Sequence, residues 1–153
     1  MKALLSPLIA AFSLVVAPVP GEAQIYGLVG EWRGEGTMVT EEGGSERLRC
    51  RMTGTTEDPQ LWKLQIRCAR LQGLLEMKLS ISKQPDGTLA GQGEVKGDTS
   101  ETGELSGRLF DNSLRVETRD GAKVELIWRE DWLYLQAWGN TTEGGFIQVR
   151  FRN

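Results

Sequence analysis

The chain has 153 residues, a formal charge of −3, two cysteines and no histidine. Without histidine it lacks the commonest general base and the commonest metal ligand. The acidic balance argues against a general nucleic-acid binder.

Residues 1–23 have the pattern of a secretory signal peptide. Lys2 supplies a minimal positive start, Ala3 to Val16 is apolar, and Gly21-Glu22-Ala23 offers small residues at the cleavage site. About 14 apolar residues interrupted by Pro7 are too few to span a bilayer, so no transmembrane segment is expected. The expected mature chain, Gln24 to Asn153, is about 130 residues, enough for one domain. It is read as a soluble protein exported to the periplasm or the exterior.

The first expected strand runs from Gly30 to Met38, with Trp32, Gly34, Gly36 and Met38 on one face. After a turn over Glu41 to Ser45, Glu46 to Arg70 forms a hairpin. One face carries Leu48, Cys50 and Met52, then Trp62, Leu64, Ile66 and Cys68. The other carries Arg47, Arg49 and Arg51, then Lys63, Gln65 and Arg67. Alternation with period two places the first set inside a sheet and the second outside. Setting Cys50 opposite Cys68 also sets Met52 opposite Ile66, so cysteines and apolar face specify one register. In an exported chain the pair is expected to form a disulfide. It would close a loop of about 19 residues and contribute roughly 3 kcal/mol on loop-closure entropy.

Leu74 to Ser82 follows, with Leu75, Met77, Leu79 and Ile81 inside. Gln84-Pro85-Asp86-Gly87 is a turn signal, leading into Thr88 to Val95 with Leu89, Gly91, Gly93 and Val95 inside. Pairing in sequence places Leu79 opposite Gly91. Lys96 to Thr102 reads as a polar loop before a strand from Gly103 to Phe110. Asp111-Asn112 turns into Ser113 to Thr118, and Asp120-Gly121 turns into Lys123 to Arg129. Trp132 to Trp138 and Phe146 to Arg152 complete ten strands, with no stretch of helical period. Inner residues keep meeting inner residues along the meander, as in Leu64 with Leu79 and Leu126 with Leu135. The fold class is therefore all-β, an up-and-down antiparallel barrel in one domain over 24–153, with closure removing both sheet edges. The charged outer face excludes an outer-membrane barrel.

Gly30-Glu31-Trp32 near the start of such a meander resembles the G-x-W signature of the calycin group. That group includes lipocalins, fatty-acid-binding proteins, avidins and small bacterial barrel inhibitors of proteases. The resemblance implies a barrel that holds a small ligand or contacts a protein, and an arginine of the final strand across the tryptophan. Arg150 and Arg152 are the candidates. The chain departs from the group by lacking the helix-turn-helix lid of fatty-acid-binding proteins and the helix that follows the lipocalin barrel.

No catalytic constellation converges, so a non-enzyme with no cofactor and no metal site is expected. Carboxylate pairs such as Glu57-Asp58 and Glu130-Asp131 fall in turns, where solvated charge accounts for them. Two binding readings stand. In the first, the interior residues Trp32, Met38, Met52, Trp62, Met77, Leu79, Leu133 and Leu135 enclose a small apolar ligand, with inward glycines either making room or bending the strands. In the second, the outward residues Ile127, Arg129, Trp132, Tyr134, Trp138, Phe146, Arg150 and Arg152 contact a protein partner or a second copy of the chain. The row Arg47, Arg49 and Arg51 reads as a solvated face, with an anionic envelope component as the lesser alternative.

Overall fold

A computed structural model describes residues 26–40, 42–98, 100–139 and 145–153. Residues 1–23, read from the sequence as a signal peptide, lie outside them. The strands are β1 (Gly30–Val39), β2 (Ser45–Asp58), β3 (Leu61–Arg70), β4 (Gly73–Lys83) and β5 (Thr88–Lys96), then β6 (Ser100–Phe110), β7 (Ser113–Thr118), β8 (Lys123–Trp128), β9 (Trp132–Trp138) and β10 (Phe146–Arg152). Each pairs antiparallel with its neighbour in sequence, and β10 closes on β1. The result is a closed ten-stranded barrel without a free edge, the expected class.

Alternation carries the fold. The β3 pattern alternates buried and exposed residues from Trp62 to Ala69, and β2 does the same from Leu48 to Met52. Cys50 faces Cys68 with Cα atoms 4.0 Å apart, bonded through sulfur, and Met52 faces Ile66. Two expectations are corrected. Leu79 pairs with Gly93 and Ile81 with Gly91. The turn after β4 explains the shift: the Gln84 N–H donates to the Thr88 carbonyl and the Gly87 N–H to that of Gln84, so Lys83 pairs with Leu89 and the register moves by two residues. Gly87 takes φ +84°, which glycine alone adopts without strain. The supposed loop 96–102 is mostly strand, with Lys96 paired to Ser100 and Glu94 to Thr102. Ladder pairing there overrides a polar sequence that hides the strand.

Short turns place the ends of the barrel. The β2–β3, β4–β5, β6–β7 and β8–β9 turns share one end with the start of β1. The β1–β2, β3–β4, β5–β6, β7–β8 and β9–β10 connections share the other. At the first end a 3₁₀ turn over Tyr26–Leu28 precedes β1. Leu28 is buried, its carbonyl occupies the space a side chain at Gly54 would need, and Gly27 lies against the Trp128 indole. Trp32, Trp62, Trp128, Met52, Leu133 and Phe151 belong to the buried core toward this end. That end is plugged.

The calycin-like placement of an arginine across the tryptophan does not occur. Trp32 is buried inside, opposite Met52, whereas Arg150 and Arg152 are exposed on the outer face. Strand parity forbids the contact: Arg152 is opposite Arg33, the outward neighbour of Trp32.

Candidate functional site

Among the described residues nothing closes the other end of the barrel, which holds a cavity of about 460 Å³. Its apolar floor is formed by Met77, Leu79, Leu105, Val116, Val124 and Ile147. Five different strands contribute these residues, and alternation turns each inward. The volume is within the range of small-molecule sites.

Glycines shape this end differently from the middle of the sheet. A side chain at Gly36, Gly91 or Gly107 would run into a carbonyl of the adjacent strand. These glycines allow strands to bend closely and do not make room. At Gly93 the first atoms met would be the Leu105 side chain, 3.3 Å away, and Gly93 lines the cavity. Inward glycines thus serve both functions considered from sequence, at different positions along the barrel.

The mouth is polar. Arg70 continues the inward parity of Trp62 to Cys68, and its side chain is only 7% exposed. Its Nη2 donates to Asp98 Oδ1 at 2.7 Å, tying the end of β3 to the β5–β6 connection, and its Nη1 lies 3.8 Å from Glu46 Oε2. Arg70 Nε and Glu46 Oε2 are both buried without a hydrogen-bond partner. A buried donor left unmade is costly, and Arg70 also contributes to the cavity lining. Sequence reasoning left Arg70 and Glu46 unassigned, although extending the alternation two residues past Cys68 and two before Leu48 reaches both.

Of the interior residues singled out from sequence, Met77 and Leu79 line the cavity. Trp32, Met52, Trp62, Leu133 and Leu135 lie in the packed core, and Met38 is half-buried against it. The outward set is brought together on β8, β9 and β10. Tyr134 faces Arg150, Trp132 faces Arg152 and Trp138 faces Phe146. A groove of about 380 Å³ runs between Ile127, Trp132, Tyr134, Arg150 and Arg152. The Tyr134 hydroxyl donates to Gln148 Oε1 at 2.7 Å and accepts from Gln136 Nε2 at 3.2 Å, which fixes the ring. Arg129 lies 6.0 Å above the Trp132 ring, and the Trp138 and Phe146 rings are 5.4 Å apart. Trp138 and Phe146 lie nearer the open end and outside that groove.

Among the described residues no group of histidine, cysteine, aspartate or glutamate side chains is arranged to hold a metal ion. No helix among them is long and apolar enough to cross a membrane.

No protein-family model and no curated protein sequence matches the chain. Solved structures similar to it are barrels. A redesigned β-barrel, b11L5F_LGL, aligns at 11% identity with a TM-score of 0.48, covering 85% of this chain and 94% of its own. EF1p2_mFAP2b bound to DFHBI aligns at 10% identity with a TM-score of 0.45, covering 88% of this chain and 98% of its own. The class of the chain rests on its own geometry: a closed ten-stranded antiparallel barrel, plugged at one end and, among the described residues, open at the other.

Proposed function

We propose that this protein is an exported, non-enzymatic binding protein that takes up a small apolar molecule through its open end. The observation that carries this reading is the cavity of about 460 Å³ floored by Met77, Leu79, Leu105 and Val124, at the end that no described residue plugs. Transfer of apolar ligand surface onto such a floor is favourable at roughly 25 cal/mol per Å². Methionine adapts to ligand shape. Export is supported by the N-terminal leader pattern and by the Cys50–Cys68 disulfide.

Native mass spectrometry of protein purified from its own compartment, followed by titration of the stripped protein with the uncharged probe N-phenyl-1-naphthylamine, tests this reading. Leu79→Trp places an indole in the cavity and should weaken probe binding at least about tenfold, a loss of about 1.4 kcal/mol, with the fold retained. Equal binding by the wild type and this variant would refute the cavity as the site.

A second reading has its own observation, the outer groove that sets two arginines opposite two aromatic rings. Tryptophan, tyrosine and arginine anchor protein interfaces. On that reading Trp132→Ala with Trp138→Ala abolishes association with a protein partner or a second copy, measured by sedimentation, and leaves probe uptake intact.

A further inference from the structure

The outer face of β10, β1, β2 and β3 carries a charge arrangement of which the second binding reading uses only the β10 arginines, Arg150 and Arg152. Arg152 lies opposite Arg33, Arg33 opposite Arg51, and Arg51 opposite Arg67. Four arginines on four neighbouring strands therefore form one unbroken row. With strands about 4.8 Å apart, the row spans roughly 14 Å. The adjoining row holds Arg150, Glu35 and Arg49, and Arg47 lies beyond it. All seven arginines are exposed.

Local pairing leaves much of this charge uncompensated. Glu35 is shared between Arg49 at 3.8 Å and Arg47 at 3.9 Å, and Arg67 reaches Glu76 at 3.2 Å. Among the described residues, Arg33, Arg51, Arg150 and Arg152 form no ion pair. Elsewhere several basic side chains sit beside a carboxylate: Lys78 by Glu76, Lys96 by Glu94, Arg115 by Glu125 and Lys123 by Glu117. The one other arginine pair opposed across strands among the described residues, Arg108 with Arg115, has Glu125 beside it. Like charges directly opposite one another destabilise a sheet. A protein of net charge −3 does not need such a row for solubility.

A second feature adjoins the row. Leu71, at the β3–β4 turn, is 93% exposed, and Leu74 is 47% exposed. Leu74 lies opposite Ala69, and Ala69 opposite Arg49, so the leucines extend the arginine face toward the open end. A soluble polyanion would recognise the charges and gain nothing from Leu71. Exposed apolar side chains beside clustered arginines suit the boundary between phosphate headgroups and acyl chains.

We propose that this face docks on an anionic lipid bilayer. Arg33, Arg51, Arg67 and Arg49 meet headgroup phosphates, and Leu71 and Leu74 enter the interface. The β3–β4 turn belongs to the open end, so docking on this edge brings the cavity mouth toward the lipid. The docking itself does not depend on what the cavity holds.

Co-sedimentation of the full chain with vesicles of phosphatidylcholine alone, and of phosphatidylcholine mixed with phosphatidylglycerol, tests the proposal. Binding to the anionic vesicles only, lost when salt shortens the Debye length to about 3 Å, is expected. Arg51→Gln with Arg67→Gln should weaken it roughly 25-fold, about fivefold per arginine. Leu71→Ser with Leu74→Ser should weaken it too, while leaving the salt dependence in place. All four side chains are solvent-exposed, so thermal unfolding midpoints should stay near wild type and separate lost docking from lost fold. No binding to anionic vesicles would overturn the proposal. So would vesicle binding indifferent to the two leucines and matched by heparin, which would make the face a reader of soluble polyanions.

Discussion

The two ends of the barrel are made from the same ten strands and the same alternation, yet one is solid and the other hollow. At the plugged end Trp32, Trp62 and Trp128 point inward, and Leu28 closes the opening from outside the sheet. At the open end the inward positions are held by smaller or polar residues: Gly93, Val95, Ala137 and Arg70. The difference teaches that alternation settles which side of a strand faces in, while side-chain volume at each level settles whether the interior is core or cavity. On the proposed function, stability and binding would then fall to opposite ends of one sheet.

Strand β10 allows the sharpest break of that comparison, because it contributes Phe151 to the plugged end and Ile147 to the cavity from the same face. Phe151 is fully buried, and Phe151→Ala should cost about 3–5 kcal/mol through lost burial and a new void. Ile147 is half-buried and already faces open space. Ile147→Ala should cost only about 1–2 kcal/mol, since it enlarges an existing cavity rather than creating one. Urea unfolding of both variants measures the gap. Equal losses would mean that the open end is packed in solution.

A smaller effect separates two glycines of β5 that sit two residues apart on the inner face. Gly91→Ala would drive a Cβ into the Ser80 carbonyl, so about 1–3 kcal/mol of strain is expected as the β4–β5 ladder moves. Gly93→Ala first meets the Leu105 side chain, at 3.3 Å, which has cavity on one side to move into. Its effect should be within about 0.5 kcal/mol of zero, with the loss of unfolded-chain entropy offsetting the contact. Thermal unfolding of the pair orders them. If Gly93→Ala proved the worse of the two, the distinction between a bending glycine and a space-making one would fail.

This pair also shows where sequence reading stops. Gly91 and Gly93 share parity and residue type, so nothing local tells which meets a backbone carbonyl. That depends on the two-residue register set by the turn at 84–88. The cysteine hairpin was legible because Cys50–Cys68 and Met52–Ile66 specify the same register twice. The start of β6 was not, because Ser100, Glu101 and Thr102 are polar and gain strand structure only from pairing with β5. The cavity floor was partly legible: Met77 and Leu79 follow from the β4 pattern, but their separation from Trp32 and Trp62 needed the ends of the barrel. The arginine row was half visible. Arg47, Arg49 and Arg51 stand out along β2, but the row across strands joins Arg152, Arg33, Arg51 and Arg67, which are distant in sequence and meet only when β10 closes on β1.

The smallest effect concerns a turn at the plugged end, where compactness is set by hydrogen bonds instead of burial. Asp86 Oδ1 accepts from the Thr88 hydroxyl at 2.6 Å and from the Thr88 N–H at 3.0 Å. The hydroxyl bond first, and the backbone bond second, hold the carboxyl below its ordinary value of 3.8. A carboxyl depressed in the folded protein binds its proton more readily when unfolded. Its contribution is therefore complete above the ordinary value and is lost as pH falls below 3.8 through the folded one. Thr88→Val removes the hydroxyl donor but keeps the N–H. The difference in unfolding midpoint between wild type and Thr88→Val should be constant above about pH 5 and should shrink below the ordinary value. Because the carboxylate is exposed, the change should stay within about a degree or two. A difference that widened on acidification would mean that the hydroxyl favours the protonated carboxyl, and the turn would then be held together by something other than the charge on Asp86.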